Sequence, residues 1–386
     1  MNILFISEML PLDTYASEVV FFRHFKKLVD EGHSIHVVTD HNSYQRRKKK
    51  LDNNFTVHLL PNRKWYYPPY HATGVSQKIR FWDYFNNHVK QIIEEYQITN
   101  LVGYVYGDFL APFCAFVQEK TQIPLISFFH DDTLELHNHK SSYLMKLNTE
   151  KILDASKKVF IASEAFKDNW PEYSQKFEIL YPIPGEIVAL TQASLRKQSK
   201  ILSIGYSGSL YTEIIPYLDK LSALLEEMAI SLHLIGNNEQ ARFLCTKYKN
   251  VTYRELFETA DESNQYLLEN CDACIIPYPE KIDEMPWIKT CFPSKFIQYT
   301  RLGIATITIA PKESALGNWS IKNKWPLYIE SYELESLKHI IDNSDIFEKA
   351  NVKITEFNNY FNPETIHLKL LSELLFTYDS IKCSKN

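Results

Sequence analysis

Glycine is scarce in this sequence, and its scarcity excludes several catalytic motifs. Only 10 glycines occur among the 386 residues. No two are spaced as G-x-G and none precedes a lysine, so the dinucleotide-binding fingerprint and the P-loop are both absent. The pair Gly103 and Gly107 encloses Val105 where a hydrolase nucleophile elbow needs serine. These absences argue against a typical dehydrogenase, P-loop kinase or serine hydrolase.

The sequence also lacks a strong net charge, a long apolar run and a cysteine framework. The net charge of −5 and the isoelectric point near 6.2 give no global attraction to nucleic acid, so no nucleic-acid partner is expected. No apolar run reaches about 18 residues, and the start MNILFIS lacks the pattern of a signal peptide. Six scattered cysteines fit a reducing compartment. We therefore expect a cytoplasmic protein.

What the sequence does contain is a repeated alternation of strand and helix patterns. Short β-branched or apolar runs alternate with helically spaced apolar residues, which is typical of a parallel sheet built from βαβ units. The rhythm starts at the N-terminus and restarts near residue 200, after a segment rich in proline, glycine and charge. The predicted strands are residues 3–7, 35–39, 56–60, 100–105, 124–129 and 158–162, then 200–206, 232–235, 273–277 and 305–310. We predict an α/β chain with domains at 1–185 and 186–362 and a final helix within 363–386.

Polar residues beyond strand 124–129 form the first candidate site, because ligands of parallel sheets collect at the carboxyl ends of the strands. His130 follows this strand directly, and a neutral imidazole there can donate or accept a hydrogen bond. The alternative is a structural histidine that caps the turn. Asp131 is a second polar candidate. A metal set that adds residues 132, 135, 137 and 139 is disfavoured because residues 137 and 139 would diverge on a helix.

The segment FPSKFIQYTRLGIATITIA, residues 292–310, forms the second candidate site. Pro293 suits the first turn of a helix, and Gly303 suits its end. Ser294 and Lys295 would then lie at the positive helix terminus, where a lysine adds charge and three donors for a diphosphate. Gln298 would face the same side one turn later. The alternative is an ordinary surface lysine.

Two further segments have a composition that suits a surface contact. The basic run RRKKK at residues 46–50 either forms a solvated loop or attracts anionic lipid or an acidic acceptor. The aromatic segment WYYPPY at residues 65–70 either stacks on sugars or a membrane interface, or packs over the helical pattern around Phe81 and Trp82. Peripheral contact with the inner face of a membrane is therefore one expectation.

A series of segments resembles glycosyltransferases of the GT-B fold, group 1 (family 4). The segments, in family order, are ILFIS, EGHSIHVVT, FFHDD, ASKKVFIASEAF, IGYSGSLY, LHLIG, NCDACIIPY and FPSKFIQYTRLGIATITI. The resemblance implies two Rossmann-like domains facing across a cleft. It also implies a nucleotide diphosphate sugar donor held by the second domain, and a glycan, glycoconjugate or lipid-linked acceptor on the first. The final helix would cross back to the first domain.

The resemblance also assigns roles to individual residues. His130 matches the histidine near the transferred sugar, and Gly208 and Ser209 match the loop beneath the diphosphate. Lys295 matches the phosphate-binding lysine, and Ser294 would offer its amide to the same phosphates. No cofactor and no metal ion are expected, because the nucleotide sugar is itself the substrate.

At four positions the sequence departs from the family pattern. Ala16 and Ser17 stand where the family often has paired glycines in the first loop, on the acceptor side with Asp131. Gln298 replaces the carboxylate that holds the donor ribose, and Thr290 replaces the carboxylate that usually precedes it by eight residues. Gln298 can still bind hydroxyls, but it does so without charge.

The function that follows is transfer of a hexose from a nucleotide diphosphate sugar to an acceptor hydroxyl, with retention of configuration and without a metal ion. The missing carboxylates leave a second interpretation open, namely an inactive relative that binds a glycan or a nucleotide sugar as a subunit. A third interpretation is a sugar-nucleotide epimerase on the same fold.

Overall fold

The chain divides into two compact units. One is formed by Met1–Leu180 together with the chain from His367 onward, and the other is Tyr181–Ile366. The computed structural model describes residues 1–13, 16–47, 51–61, 74–107, 109–132, 142–185 and 201–384. The second unit thus begins slightly before the boundary predicted at residue 185, and most of the final helix belongs to the first unit.

The first unit is built on a parallel sheet. Its strands are β1 (Asn2–Ile6), β2 (Ser34–Asp40), β3 (Thr56–Leu60), β4 (Asn100–Tyr104), β5 (Leu125–Phe129), β6 (Ser156–Ile161) and β7 (Phe177–Ile179). They form a 7-stranded sheet in the order β3-β2-β1-β4-β5-β6-β7. Strand β1 lies inside the sheet, with Ile3 opposite Ile35 on one side and Asn100 on the other.

Helices cover the first sheet and connect its strands. They are α1 (Ala16–Asp30), α2 (His41–Arg47), α3 (Gly74–Tyr84), α4 (Lys90–Glu95), α5 (Leu110–Thr121), α6 (Ser142–Ala155) and α7 (Ala165–Asn169). Helix α1 illustrates the pattern, since Phe21, Phe25 and Leu28 recur at helical spacing and are fully buried. Its chain then turns at Gly32, whose φ of 86° favours glycine. The apolar spacing therefore sets the packing face, and Gly32 sets the entry into β2.

The second unit repeats the arrangement with fewer strands. Its strands are β8 (Ser203–Ser207), β9 (Ser231–Gly236), β10 (Val251–Glu255), β11 (Ala273–Pro277), β12 (Thr306–Ile309) and β13 (Tyr328–Ile329), in the order β10-β9-β8-β11-β12-β13. Its helices are α8 (Ile215–Glu227), α9 (Glu239–Lys247), α10 (Ala260–Asn270), α11 (Ser294–Arg301), α12 (Ala315–Lys322), α13 (Leu334–Ile341) and α14 (Ser344–Tyr360). All strand pairings are parallel.

The final helix, α15 (Pro363–Ser384), packs on the first unit. Asn362 caps it, because its side-chain oxygen accepts from the amides of Glu364 and Thr365. Lys369 donates to the carbonyl of Ile179, and Asn100 donates to the carbonyl of Leu374. Within the described residues, no helix combines the length and the apolar character that a membrane span needs.

The predicted class, an α/β chain with two parallel sheets, is confirmed, whereas several local details differ. Strands β7, β10 and β13 were not predicted, because each is short or interrupted by charge. The basic run at residues 46–50 was predicted to form either a solvated loop or a site for anionic lipid or an acidic acceptor. Helix α2 extends through Arg47, so the backbone of the first two residues of the run is helical. Residues 48–50, the aromatic segment 65–70 and most of the predicted linker, residues 186–200, lie outside the described residues.

Candidate functional site

Each sheet has one point where the strand order reverses, and the predicted site residues lie around these points. The reversal lies between β1 and β4 in the first unit and between β8 and β11 in the second. Loops diverge there in opposite directions, which opens a crevice beyond the carboxyl ends of the strands.

His130 lies directly beyond β5 and is held by aromatic rings. Its imidazole stacks on Phe21, with ring centroids 5.5 Å apart and an interplanar angle of 22°, and it contacts Tyr104 and Phe128. The residue is only 9% exposed. This burial lowers the pKa of His130 to about 4, because the charged imidazolium would lose its hydration. The ring is therefore neutral at pH 7.

A chain of hydroxyl groups connects His130 with Asp131. Nδ1 of His130 lies 3.3 Å from Oγ of Ser17, and this oxygen lies 3.0 Å from the Tyr104 hydroxyl. Tyr104 in turn donates to Oδ2 of Asp131 over 3.4 Å. Ser17 lies in the first turn of α1, and Tyr104 ends β4, so three neighbouring elements meet here. The structure thus brings together Ser17, His130 and Asp131, all of which the sequence analysis selected.

Asp132, next in the chain, has a different environment. It is 1% exposed, and its Oδ2 accepts from the indole N–H of Trp170 at 3.0 Å and from the side-chain amide of Asn169 at 3.1 Å. A buried carboxylate with two such donors ties the loop after β5 to the end of α7. Asp132 is therefore a structural residue of this loop.

In the second unit, the loop after β8 contacts Lys295 closely. Gly208 has a φ of 132°, and a Cβ placed on it would overlap Cε of Lys295 and lie 2.8 Å from its ammonium. Glycine at this position therefore creates the space that the lysine occupies. Lys295 is the second residue of α11, where the first backbone N–H groups have no intrahelical acceptor. The predicted pair Gly208 and Lys295 is adjacent in space.

The loop from Gly208 to Tyr211 is held by its own carbonyl groups. The Tyr206 hydroxyl donates to the carbonyl of Ser209 at 2.8 Å, and Asn238 donates to that of Leu210 at 2.8 Å. In the part of the chain that the structure describes, the amides of Ser209 and Leu210 have no acceptor. Backbone amides of this kind are typical ligands of anions. The loop thus keeps donors for a ligand beside the lysine.

The Lys295 ammonium lies against an aromatic ring in a partly buried position. It lies over the Tyr206 ring, 5.4 Å from the centroid, and burial lowers its pKa. Among the described residues, no carboxylate forms an ion pair with it. Tyr299, one turn further along α11, accepts from the amide of Ser207 at 2.9 Å and so fixes the helix to β8. An anion placed here would restore the charge balance.

The other residues discussed for binding of the nucleotide-sugar donor lie in different environments. Ser294 is exposed at the start of α11. Gln298 is half-buried, and its side-chain oxygen accepts from the amide of Gly185 at 2.8 Å. Thr290 is fully buried. Gln298 therefore connects α11 to the start of the second unit, an intra-unit contact that the sequence did not indicate.

Several expectations concern residues or groups that the site does not include. Cys271 and Cys274 are spaced as C-x-x-C; within the described residues both are buried, neither forms a disulfide, and they pack as small apolar residues. Within the described ranges, no group of three or more His, Cys, Asp or Glu side chains is placed to hold a metal ion. Residues 135, 137 and 139 lie outside those ranges, whereas Cys271 and Cys274 both lie within them.

Glu8 is a further residue that the sequence analysis missed. It follows β1, and its carboxylate accepts from the amide of Leu110 at 3.4 Å at the start of α5. A Cβ on Gly107, whose φ is 89°, would approach this carboxylate to 2.7 Å. The signal available in the sequence was an acidic residue directly beyond the first strand.

Neither the family models nor the curated proteins contain a match to this chain. Solved structures do match. Sucrose-phosphate synthase from Thermosynechococcus elongatus is 14% identical with a TM-score of 0.65, over 97% of this chain and 99% of that chain. Anabaena HepE in complex with UDP and glucose is 13% identical with a TM-score of 0.63, over 97% and 99%.

A plant protein gives a similar result. Phytolacca americana UGT2, solved without ligand, is 10% identical with a TM-score of 0.60, over 98% of this chain and 99% of that chain. At such identities the likeness concerns the fold, and it extends over nearly the whole length of each chain. Together with the two parallel sheets, these comparisons show that the chain has the GT-B fold of glycosyltransferases.

Proposed function

We propose that this protein is a glycosyltransferase that moves a hexose from a nucleotide diphosphate sugar to an acceptor hydroxyl. The observation that supports it most is Lys295, whose ammonium lies against Gly208 at the N-terminus of α11 without an ion pair among the described residues. Solved structures with the same fold include HepE with UDP and glucose, and HepE with UDP-glucose. A diphosphate is the anion that suits such a lysine and its neighbouring amides.

The chemistry follows from the charge that develops on the departing diphosphate. As the bond between the sugar and the diphosphate breaks, the diphosphate oxygens gain negative charge. Lys295 and the free amides of Ser209 and Leu210 would stabilise that charge, and Ser294 would add its own amide. In this proposal they take the place of a metal ion. Retention of the anomeric configuration is proposed from the family resemblance.

The acceptor would bind to the first unit, near His130 and the start of α1. The neutral imidazole of His130 lies beyond β5 with Ser17 and Asp131 beside it, and these groups suit sugar hydroxyls. We propose a glycan, a glycoconjugate or a lipid-linked sugar as the acceptor.

A thermal-shift panel of nucleotides and nucleotide sugars tests the donor. A ligand that binds only the native state raises the stability by about 2.7 kcal/mol at a hundredfold excess over Kd. No stabilisation by any nucleotide diphosphate or nucleotide sugar would contradict the proposal. Release of free nucleotide diphosphate from the stabilising donor distinguishes an enzyme from an inactive binding subunit, and an altered donor sugar without acceptor would indicate an epimerase.

Gly208→Ala is expected to weaken both stability and diphosphate binding. The new methyl group would displace Lys295, and the positive φ strains any L side chain, so we expect a stability loss of about 1–3 kcal/mol. Gly303→Ala is the matched control, because Gly303 has a φ of 69° but no atom within 4 Å of the added Cβ. Denaturant unfolding and UDP titration of both variants separate backbone strain from displacement of the lysine. Equal binding by the two variants would contradict the proposed contact.

We also propose that the first unit docks on anionic membranes. Val75, Ile79 and Trp82 lie at helical spacing on α3 and are 75%, 58% and 44% exposed, with Lys78 between them. Lys120 lies over the Trp82 ring at 4.9 Å. Apolar side chains with flanking lysines suit an interface, and the basic run at residues 46–50 would add attraction of about 1 kcal/mol per residue.

Flotation with vesicles of graded anionic lipid content measures this docking. We expect binding that rises with anionic lipid, weakens as salt shortens the Debye length, and falls in Ile79→Asp. Ile321→Asp is the control, because Ile321 is 52% exposed on α12 of the other unit. Wild-type protein that fails to float at every composition, even at low salt, would rule the docking out.

A further inference from the structure

Ser17 lies between two groups that form hydrogen bonds with its hydroxyl. Its Oγ is 3.3 Å from Nδ1 of His130 and 3.0 Å from the hydroxyl of Tyr104. The residue is 9% exposed, and its side chain forms these two hydrogen bonds within the described residues. Tyr104 also contacts Oδ2 of Asp131 at 3.4 Å. Four polar groups from three elements therefore form one continuous chain.

Asp131, at one end of this series of hydrogen bonds, sets their direction. An ionised carboxylate only accepts, so the single proton of the Tyr104 hydroxyl points toward Asp131. The Tyr104 oxygen then accepts from Ser17, whose single proton is used in that bond. The Ser17 oxygen is left as an acceptor, and the group facing it is Nδ1 of His130. Nδ1 must therefore donate, which requires that it hold the proton.

We propose that Ser17 and Tyr104 are positioning residues that fix the neutral His130 ring with its proton on Nδ1, so that Nε2 accepts a hydrogen bond from a substrate hydroxyl. This inference rests on the proposed function for the identity of the substrate. Ser17 stands at one of the two positions at the start of α1 where the resembling family often has glycine.

Two observations on the ring support the assignment. Phe21 stacks on the imidazole at 22°, and Tyr104 and Phe128 contact its other sides, so the ring orientation is restricted. Burial holds the ring neutral, which leaves one nitrogen as donor and the other as acceptor. Among the residues that the structure describes, none forms a hydrogen bond with Nε2. The substrate group that Nε2 recognises must therefore carry a proton, as a sugar hydroxyl does.

The tautomer can be measured without any substrate. The full-length protein is labelled with 15N-histidine, and long-range 1H–15N correlation distinguishes a protonated ring nitrogen from an unprotonated one. The chain has 13 histidines, so a spectrum of His130→Phe identifies the signals of His130 by their absence. We expect Nδ1 of His130 to be protonated in the wild-type protein. A proton on Nε2 would overturn the proposal.

Variants of Ser17 and Tyr104 test whether the hydroxyl chain sets the tautomer. Ser17→Ala and Tyr104→Phe each remove one bond of the chain, and the ratio of the Nδ1–H to the Nε2–H form is expected to fall about tenfold. Ser17→Thr keeps the hydroxyl and should restore the wild-type ratio. Ser127→Ala is the matched control, because it removes a buried hydroxyl pair with Ser156, 2.7 Å apart, on the same strand β5.

The outcomes separate this inference from the proposed function. An unchanged ratio in both Ser17→Ala and Tyr104→Phe would overturn the positioning role, even if the protein binds nucleotide diphosphates. A changed ratio in these variants, with Ser127→Ala like the wild type, supports the role even if UDP produces no thermal shift. In that second case it is the proposed function that fails.

Discussion

Lys295→Ala is expected to weaken nucleotide diphosphate binding about tenfold to a hundredfold while leaving nucleoside binding nearly unchanged. The variant removes a charged donor that lies against Gly208 at the start of α11. One charge-assisted hydrogen bond contributes about 1.5–3 kcal/mol, and about 1.4 kcal/mol corresponds to a factor of ten in Kd. The effect should be confined to ligands with phosphates, because the ammonium would contact no other part of the nucleotide.

Calorimetric titration with UDP and with uridine measures this difference directly. Lys295→Met keeps an apolar side chain of similar length and removes the charge, so it should show the same loss with less structural change. Lys322→Ala, an exposed lysine on α12, controls for the general loss of one positive charge in the second unit. Equal losses for UDP and uridine would reject the placement of Lys295 beside the phosphates.

Much of the fold could be predicted because apolar periodicity determines which elements form. The runs that became β1, β2, β4, β5 and β11 have apolar or β-branched centres, and each is almost wholly buried in a parallel sheet. Strand β10, with the sequence VTYRE, has exposed charged residues at one edge of its sheet and so lacks this signal. Edge strands depend on pairing with a neighbour, which the sequence of one segment does not contain.

The candidate site was predictable where one residue's neighbours in sequence define its role. Lys295 after Pro293 marks a helix start and could be selected from local pattern, whereas Gly208, whose φ is positive, was selected through the family resemblance. Tyr104 could not be selected from local pattern, because its role depends on Ser17 and Asp131, which are distant in sequence. Contacts between loops of different strands require the sheet order, and the sequence alone does not determine it.

The sequence did not indicate how deeply His130 is buried. The structure packs the imidazole against Phe21, Tyr104 and Phe128. An alanine there would leave a cavity among aromatic rings, so His130→Ala must lower stability as well as activity. A variant that fills the same space is needed to separate the two effects.

His130→Phe is therefore the decisive variant for the role of the histidine. Phenylalanine keeps a ring among Phe21 and Phe128 but offers no nitrogen to a substrate. If Nε2 binds a hydroxyl of the reacting sugar, turnover should fall about a hundredfold or more. Steady-state kinetics with the donor identified by thermal shift measures kcat and KM. Full activity in a folded His130→Phe protein would show that the imidazole only caps the turn after β5.

The pH dependence of stability provides a second readout for the same variant. Burial lowers the pKa of His130 from 6.5 to about 4, so the unfolded chain binds a proton at higher pH than the folded chain does. The wild-type protein should thus lose stability as pH falls from 6.5 toward 4, on the order of 3 kcal/mol from this group. His130→Phe lacks the titrating ring and should lose correspondingly less. Denaturant unfolding of both proteins at pH 7 and pH 4.5 tests the difference. Parallel losses in the two proteins would mean that the folded chain protonates His130 as readily as the unfolded chain does.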